Sequence, residues 1–124
     1  MELVSASGSE QPLVASYGPG QFKITEHVYP CSILLFPSGV FQLDIESIDQ
    51  LNETVLERVF RASPKLDILL IGYGLSKGRV DCQLSNFLRN AGIGFDIMNT
   101  GAAGRTYNVL ALEERRVAAV LIPL

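Results

Sequence analysis

Four consecutive aliphatic residues, Ile68-Leu69-Leu70-Ile71, stand between Asp67 and Gly72-Tyr73-Gly74. On a strand, successive side chains point to opposite faces, so a run without a polar position leaves neither face for water. Such a strand belongs in the interior of a parallel sheet. Val117 to Ile122 repeats the pattern, and Gly94 to Met98 supplies a third short strand. Between the first and second of these in chain order, Val80, Leu84, Phe87, Leu88 and Ala91 recur at helical spacing from a start near Asp81, with Gly92 placed for a left-handed C-cap. Thr100 is positioned to cap a further helix that turns Ala103, Thr106, Tyr107 and Leu110 inward. The second half therefore reads β-α-β-α-β, with right-handed crossovers and the helices expected on one face of parallel strands.

The first half has a different period. Phe22 to Ile24 and Val28 to Tyr29 read as short strands, and Ser32 to Phe36 with Val40 to Ile45 flank Pro37-Ser38-Gly39 as a hairpin. Phe41, Leu43 and Ile45 alternate with Gln42 and Asp44, which is antiparallel character with one wet face. Asn52 caps a helix reaching about Phe60, with Val55, Leu56, Val59 and Phe60 on its apolar side, and Pro64 closes that region. Because the Ile68 strand needs cover on both sides, the antiparallel strands are expected to lie over the face opposite the helices. The fold class is α/β: a three-layer β/β/α single domain over residues 13–124, preceded by a flexible segment, 1–12. At 124 residues, with 48% hydrophobic and 19% charged, the chain has material for one core and too little charge for disorder.

Two strand-to-helix turns carry the candidate chemistry. Gly72-Tyr73-Gly74-Leu75-Ser76-Lys77-Gly78 follows the first parallel strand, and Asn99-Thr100-Gly101-Ala102-Ala103-Gly104-Arg105 follows the second. Parallel strands bring both turns to one rim, where backbone N–H groups at helix starts attract anions. The expected crevice comprises Gly72, Gly74, Lys77, Arg79, Thr100, Gly101, Arg105 and Tyr107, offered to a small anion or a partner protein. A dinucleotide site is disfavoured because the third glycine comes one residue late and Asn99 stands where an acid would hold the ribose; a P-loop fails because Gly78-Arg79 follow Lys77.

Catalytic sets are absent. The sole histidine, His27, lies in the antiparallel half beside Glu26 without Cys/His neighbours, and Ser38 lacks a nucleophile-elbow context. Cys31 and Cys82 are far apart in sequence and outside any Cys-x-x-Cys, so they read as reduced thiols. No catalytic residue, metal site or cofactor is expected. A net charge of −3 gives no field for nucleic acid, and no segment is long and apolar enough to insert in a membrane. Met1 to Gln11 has neither a signal nor a transit composition, which predicts a cytoplasmic location.

Asp96-Ile97-Met98-Asn99-Thr100-Gly101-Ala102-Ala103-Gly104-Arg105-Thr106-Tyr107-Asn108-Val109-Leu110, with Glu114-Arg115-Arg116 and the strand after it, resembles the Mth938-like family. That family includes the adipogenesis-associated Mth938 domain-containing protein and a mitochondrial complex I assembly factor. Asp67 to Gly72 with Gly74, and the Tyr17 to Pro37 region, extend the resemblance over the chain from about residue 13. It implies a compact β/β/α domain and a shared crevice around Thr100, Arg105 and Tyr107, and it does not supply an enzyme. The mitochondrial relative works by binding proteins during respiratory complex assembly. Tyr73 between the paired glycines and the expected lack of a transit peptide depart from the family pattern, and Gly104 is unusual inside a helix start. The reading is a soluble, non-catalytic protein-binding or assembly factor, with an anionic-ligand module or enzyme as the alternative, and with exposed sheet edges suited to a homodimer.

Overall fold

The computed structural model describes the backbone of residues 4–5 and all of residues 11–124. Nine strands and three α-helices follow in the order β1 (Val4–Ser5), β2 (Val14–Gly18), β3 (Gln21–Ile24), β4 (His27–Tyr29), β5 (Ser32–Phe36), β6 (Gly39–Leu43), α1 (Glu57–Arg61), β7 (Ile68–Gly72), α2 (Cys82–Asn90), β8 (Gly94–Met98), α3 (Thr100–Leu112) and β9 (Val117–Leu121). Six strands make one mixed sheet in the order β1-β6-β5-β9-β7-β8, and β2-β3-β4 make a second, antiparallel one. Strand β7 pairs in parallel with β8 on one side and β9 on the other, so the three C-terminal strands share one direction.

The hairpin β5–β6 departs from the sequence expectation. It extends the large sheet, with β5 antiparallel to β9 through Ile33↔Leu121 and Leu35↔Ala119, and does not cover a face. The reason lies in the residues: Ile33, Leu34 and Leu35 are fully buried, the same double-sided burial that marks Ile68 to Ile71. Only β2-β3-β4 forms the covering layer. The helices also divide. Connecting β7 to β8 moves one way along the sheet, and connecting β8 to β9 moves back past β7, so two right-handed crossovers put α2 and α3 on opposite faces.

Strand alternation sorts the core accordingly. Leu34, Phe36, Leu69, Ile71, Ala118 and Val120 face α1 and α2 through Val59, Leu84 and Leu88. Ile33, Leu35, Leu70, Val117, Ala119 and Leu121 face α3 and the small sheet through Ala103, Tyr107, Ala111, Phe22, Ile24 and Tyr29. Three layers result: small sheet with α3, large sheet, then α1 with α2. Each fully buried Leu or Ile contributes about 1.5–3 kcal/mol relative to exposure, which is why neither face can be left open.

The small sheet is tied to α3 by polar bonds that the sequence did not advertise. Asn108 accepts from the Val14 amide and donates to the Val14 carbonyl, each at 2.9 Å, so its carboxamide substitutes for a neighbouring strand. The Tyr107 hydroxyl donates to the Pro12 carbonyl at 3.1 Å. Of the flexible segment expected over 1–12, Val4–Ser5 pair with Val40 and Gly39, and Pro12 takes the Tyr107 bond; the remainder, apart from Gln11, lies outside the described residues.

Helix ends follow capping chemistry. Asn52 accepts the Val55 amide, as expected, but Glu53 to Leu56 form turns and the regular helix α1 is short. Gly92, at φ +74°, ends α2 with Ile93 N–H on the Leu88 carbonyl and Gly92 N–H on the Arg89 carbonyl. Helix α3 ends in the same way, with Glu114 at φ +61° and Arg115 N–H bonded to the Leu110 carbonyl. Here a residue with a Cβ occupies the left-handed position that favours glycine. Glu114→Gly is therefore expected to raise stability by about 0.5–1 kcal/mol, read as a higher urea midpoint at unchanged slope.

Tyr107→Phe removes a buried hydroxyl and is expected to cost about 1 kcal/mol at neutral pH. Burial raises the Tyr107 pKa above the ordinary tyrosine value, so the unfolded chain loses this proton first. Its contribution is complete below pH of about 10 and is lost progressively above. Unfolding free energies taken across that range should show a steeper alkaline decline for the parent chain than for Tyr107→Phe.

Candidate functional site

The carboxyl ends of β7 and β8 do meet at one rim, and the sequence-derived residues there are mostly packed against one another. Asn99, not Thr100, is the N-cap of α3: its side chain accepts the Ala102 amide at 2.8 Å. Thr100 is thereby free to turn inward, where its hydroxyl accepts the Gly74 N–H at 2.9 Å and donates to the Ile122 carbonyl at 2.7 Å. One buried hydroxyl thus joins the turn after β7, the start of α3 and the end of β9.

The glycines of this rim serve close approach. A Cβ on Gly72 would stand 2.8 Å from the Thr100 Cα, and one on Gly74 would stand 2.7 Å from Ile122 Cγ2. Above Gly101 lies the hydroxyl of the exposed Tyr17 side chain, which would have to shift to admit a Cβ. Tyr107 is a correction to the expected crevice: it is fully buried beneath the small sheet, because α3 needs a large apolar body there and the Pro12 carbonyl satisfies its hydroxyl. Lys77 and Arg79 lie exposed on the loop before α2, and Arg105 is exposed on the first turns of α3. What the rim presents outward is basic side chains; its Thr100 hydroxyl and Gly74 amide are spent internally.

The other sequence candidates are placed simply. His27 is exposed on β4, and Cys31 and Cys82 are free thiols, Cys82 exposed and Cys31 with its pKa raised by desolvation. Among the described residues, no group of three or more His, Cys, Asp or Glu converges to hold a metal ion.

A cleft of about 870 Å³ opens at the opposite end of the sheet, beside the amino ends of β7 and β9. Its floor is apolar, from Leu34, Phe36, Phe41 and Leu43 of the hairpin with Leu66 and Val117. One wall is α1 and the segment after it; the other is the turn between α3 and β9. Phe36 and Phe41 meet edge to face with centroids 5.8 Å apart, and the Arg58 guanidinium lies 3.9 Å over the Phe41 ring. Arg61, Arg115 and Arg116 complete the rim, so four of the chain's seven arginines surround one recess. Two are neutralised: Arg61 pairs with Glu57 and Arg116 with Asp67, each at 3.1 Å. The sequence signal lies in Glu113-Glu114-Arg115-Arg116, a charge cluster between the last helix and the last strand. Its juxtaposition with Arg58 and Arg61 depends on sheet order, which periodicity does not reveal.

A mixed sheet clad by a small antiparallel sheet with α3 on one face and two helices on the other defines the class of an Mth938-like domain, and a Bordetella pertussis solution structure described as an Mth938-like domain superposes with TM-score 0.79 at 23% identity over 99% of this chain and 92% of that one. The chain belongs to the family described as "Protein of unknown function (DUF498/DUF598)", whose pattern matches residues 14–122. A crystal structure of an outer membrane protein from Bartonella henselae is 35% identical with TM-score 0.82, covering 91% of this chain and 95% of that one. Among curated relatives, NADH dehydrogenase [ubiquinone] 1 alpha subcomplex assembly factor 3 of Xenopus tropicalis is 32% identical over 96 residues, which is 77% of this chain. The chain spans about half the length of that relative, 51%. Among the described residues, no helix is long and apolar enough to cross a membrane.

Thr100→Val keeps the shape and deletes the bridging hydroxyl, leaving a buried amide and a buried carbonyl short of a partner. It is expected to cost about 2–4 kcal/mol in chemical denaturation, while Thr100→Ser stays close to the parent.

Proposed function

We propose that this chain is a non-catalytic accessory factor that binds another polypeptide during the assembly of a multisubunit complex, the role carried in the names of its NADH dehydrogenase assembly-factor relatives. The observation that carries the reading is the cleft: an aromatic and aliphatic floor with a rim of guanidinium groups, the side-chain chemistry enriched where proteins recognise proteins. The alternative, an anion seated over the carboxyl rim, would find the Gly74 N–H already given to the Thr100 hydroxyl and the Thr100 O–H to the Ile122 carbonyl. A cytoplasmic location and a homodimer belong to the same proposal.

The test is affinity purification of the full chain from native extract, with native mass spectrometry of what is recovered. A partner should be retained by Arg105→Glu and lost by the double variant Arg58→Glu, Arg115→Glu. Loss with Arg105→Glu alone would move the interface to the other rim, and recovery of nothing specific would count against an assembly role. The same spectra report subunit number.

A further inference from the structure

We propose that the cleft between α1 and the α3–β9 turn receives an acidic segment of a partner polypeptide, with carboxylates on Arg58 and Arg115 and an apolar side chain over Phe41. This rests on the protein-binding reading and adds the chemistry of what is bound. The first argument is charge. The whole chain carries −3, yet this recess gathers Arg58, Arg61, Arg115 and Arg116 against Glu57 and Glu114. After the Glu57–Arg61 and Asp67–Arg116 pairs are set aside, Arg58 and Arg115 have no carboxylate partner among the described residues. Arg58 is held over the Phe41 ring, so its guanidinium is already oriented and less rotamer freedom is lost when it pairs. A planar guanidinium matches a carboxylate through two parallel N–H···O bonds.

The second argument is the floor. Phe41 lies partly exposed above the buried side chains of Leu34, Phe36, Leu43, Leu66 and Val117, an apolar contact for which a bare inorganic anion has nothing to place. A cleft of about 870 Å³ is near the upper end of the roughly 300–1,000 Å³ typical of ligand sites, enough for a short run of side chains. The overall negative charge, with Glu57 and Glu114 at the same rim, works against a nucleic acid backbone or an anionic bilayer, whose long-range fields sense the whole molecule. A polypeptide presents a few carboxylates locally together with an apolar side chain, which is the pattern this recess complements.

The experiment measures fluorescence anisotropy of a labelled octapeptide, six Asp or Glu residues around a central Leu-Phe pair, titrated with the full chain. The expected result is saturable binding at least tenfold tighter than for the Asn/Gln isostere of the same peptide, weakening as salt is raised. The Arg58→Glu, Arg115→Glu variant should lose at least tenfold, Arg115→Glu alone should lose severalfold, and Lys77→Glu, Arg79→Glu at the other rim should bind like the parent. Arg115 is exposed and makes no internal pair, so its single variant separates lost binding from lost folding. Equal binding of the isostere overturns the inference, as does saturable binding of inorganic phosphate or of phosphatidylglycerol vesicles with the acidic peptide silent. If the acidic peptide is silent while the double variant still loses its partner from native extract, this inference falls and the protein-binding reading stands.

Discussion

Burial of β5, β7 and β9 on both faces is the constraint from which the rest of the molecule follows. Ile33, Leu34, Leu35, Leu69, Leu70, Ile71 and every residue of Val117–Leu121 are out of water. Parallel strands cannot be joined by tight turns, so each needs a crossover, and right-handedness decides the face on which the crossover helix lands. With β7 between β8 and β9, the two crossovers run in opposite senses along the sheet. The helices therefore part, and each face is left half covered. The face of α3 is completed by β2-β3-β4; the face of α2 is completed only by the short α1.

Close approach at the carboxyl rim depends on this arrangement. Helix α3 can sit near the sheet because Ala103 faces strands that themselves carry Gly72 and Ala119. A Cβ on Gly104 would lie 3.5 Å from the Val14 methyl groups, ordinary van der Waals contact, so the approach of the small sheet does not require glycine there and its cost of up to about 1 kcal/mol within a helix stands. The Thr100 hydroxyl then locks three chain segments that are distant in sequence. Small residues and helix-start amides of this kind signal ligand binding when read along the chain, yet here the same residues serve packing.

Local signals gave reliable elements: the alternation after Phe41, the helical stripe of Leu84 and Leu88, the Gly92 cap and the parallel strand trio were all legible. What was not legible is relational. Whether Thr100 or Asn99 caps α3 depends on whether a partner awaits the Thr100 hydroxyl inside, and Gly74 and Ile122 become its partners only through the sheet. Tyr107 has the spacing of a helix face but no mark saying which layer covers it. The need of the Ile68 strand for cover on both sides does not say which antiparallel strands supply it, and Ile33-Leu34-Leu35, with the same doubly buried signature as Ile68 to Ile71, places the hairpin within the large sheet. The basic cleft was the least visible feature, since Arg58 and Arg115 are brought together by β5 pairing with β9 and not by any local pattern.

The position of that cleft has a physical cause in the dimensions of the layers. Six strands at roughly 4.8 Å spacing span about 24 Å from first to last, wider than α2 alone can cover at a helix diameter of about 10 Å. Five residues of α1 amount to only about 7.5 Å of helix: Leu34, Phe36 and Leu43 are covered by the core around them, and Phe41 is left partly exposed. Burying Phe41 as well would take another helical turn. The chain instead lays arginine stems along the gap, where the methylenes cover apolar surface and the guanidinium groups stay hydrated at the edge. Arg58 over Phe41 is the clearest case. An incomplete layer thus produces, from packing alone, a recess that is apolar beneath and cationic around its mouth, and a partner segment that fills it completes the layer that α1 leaves short.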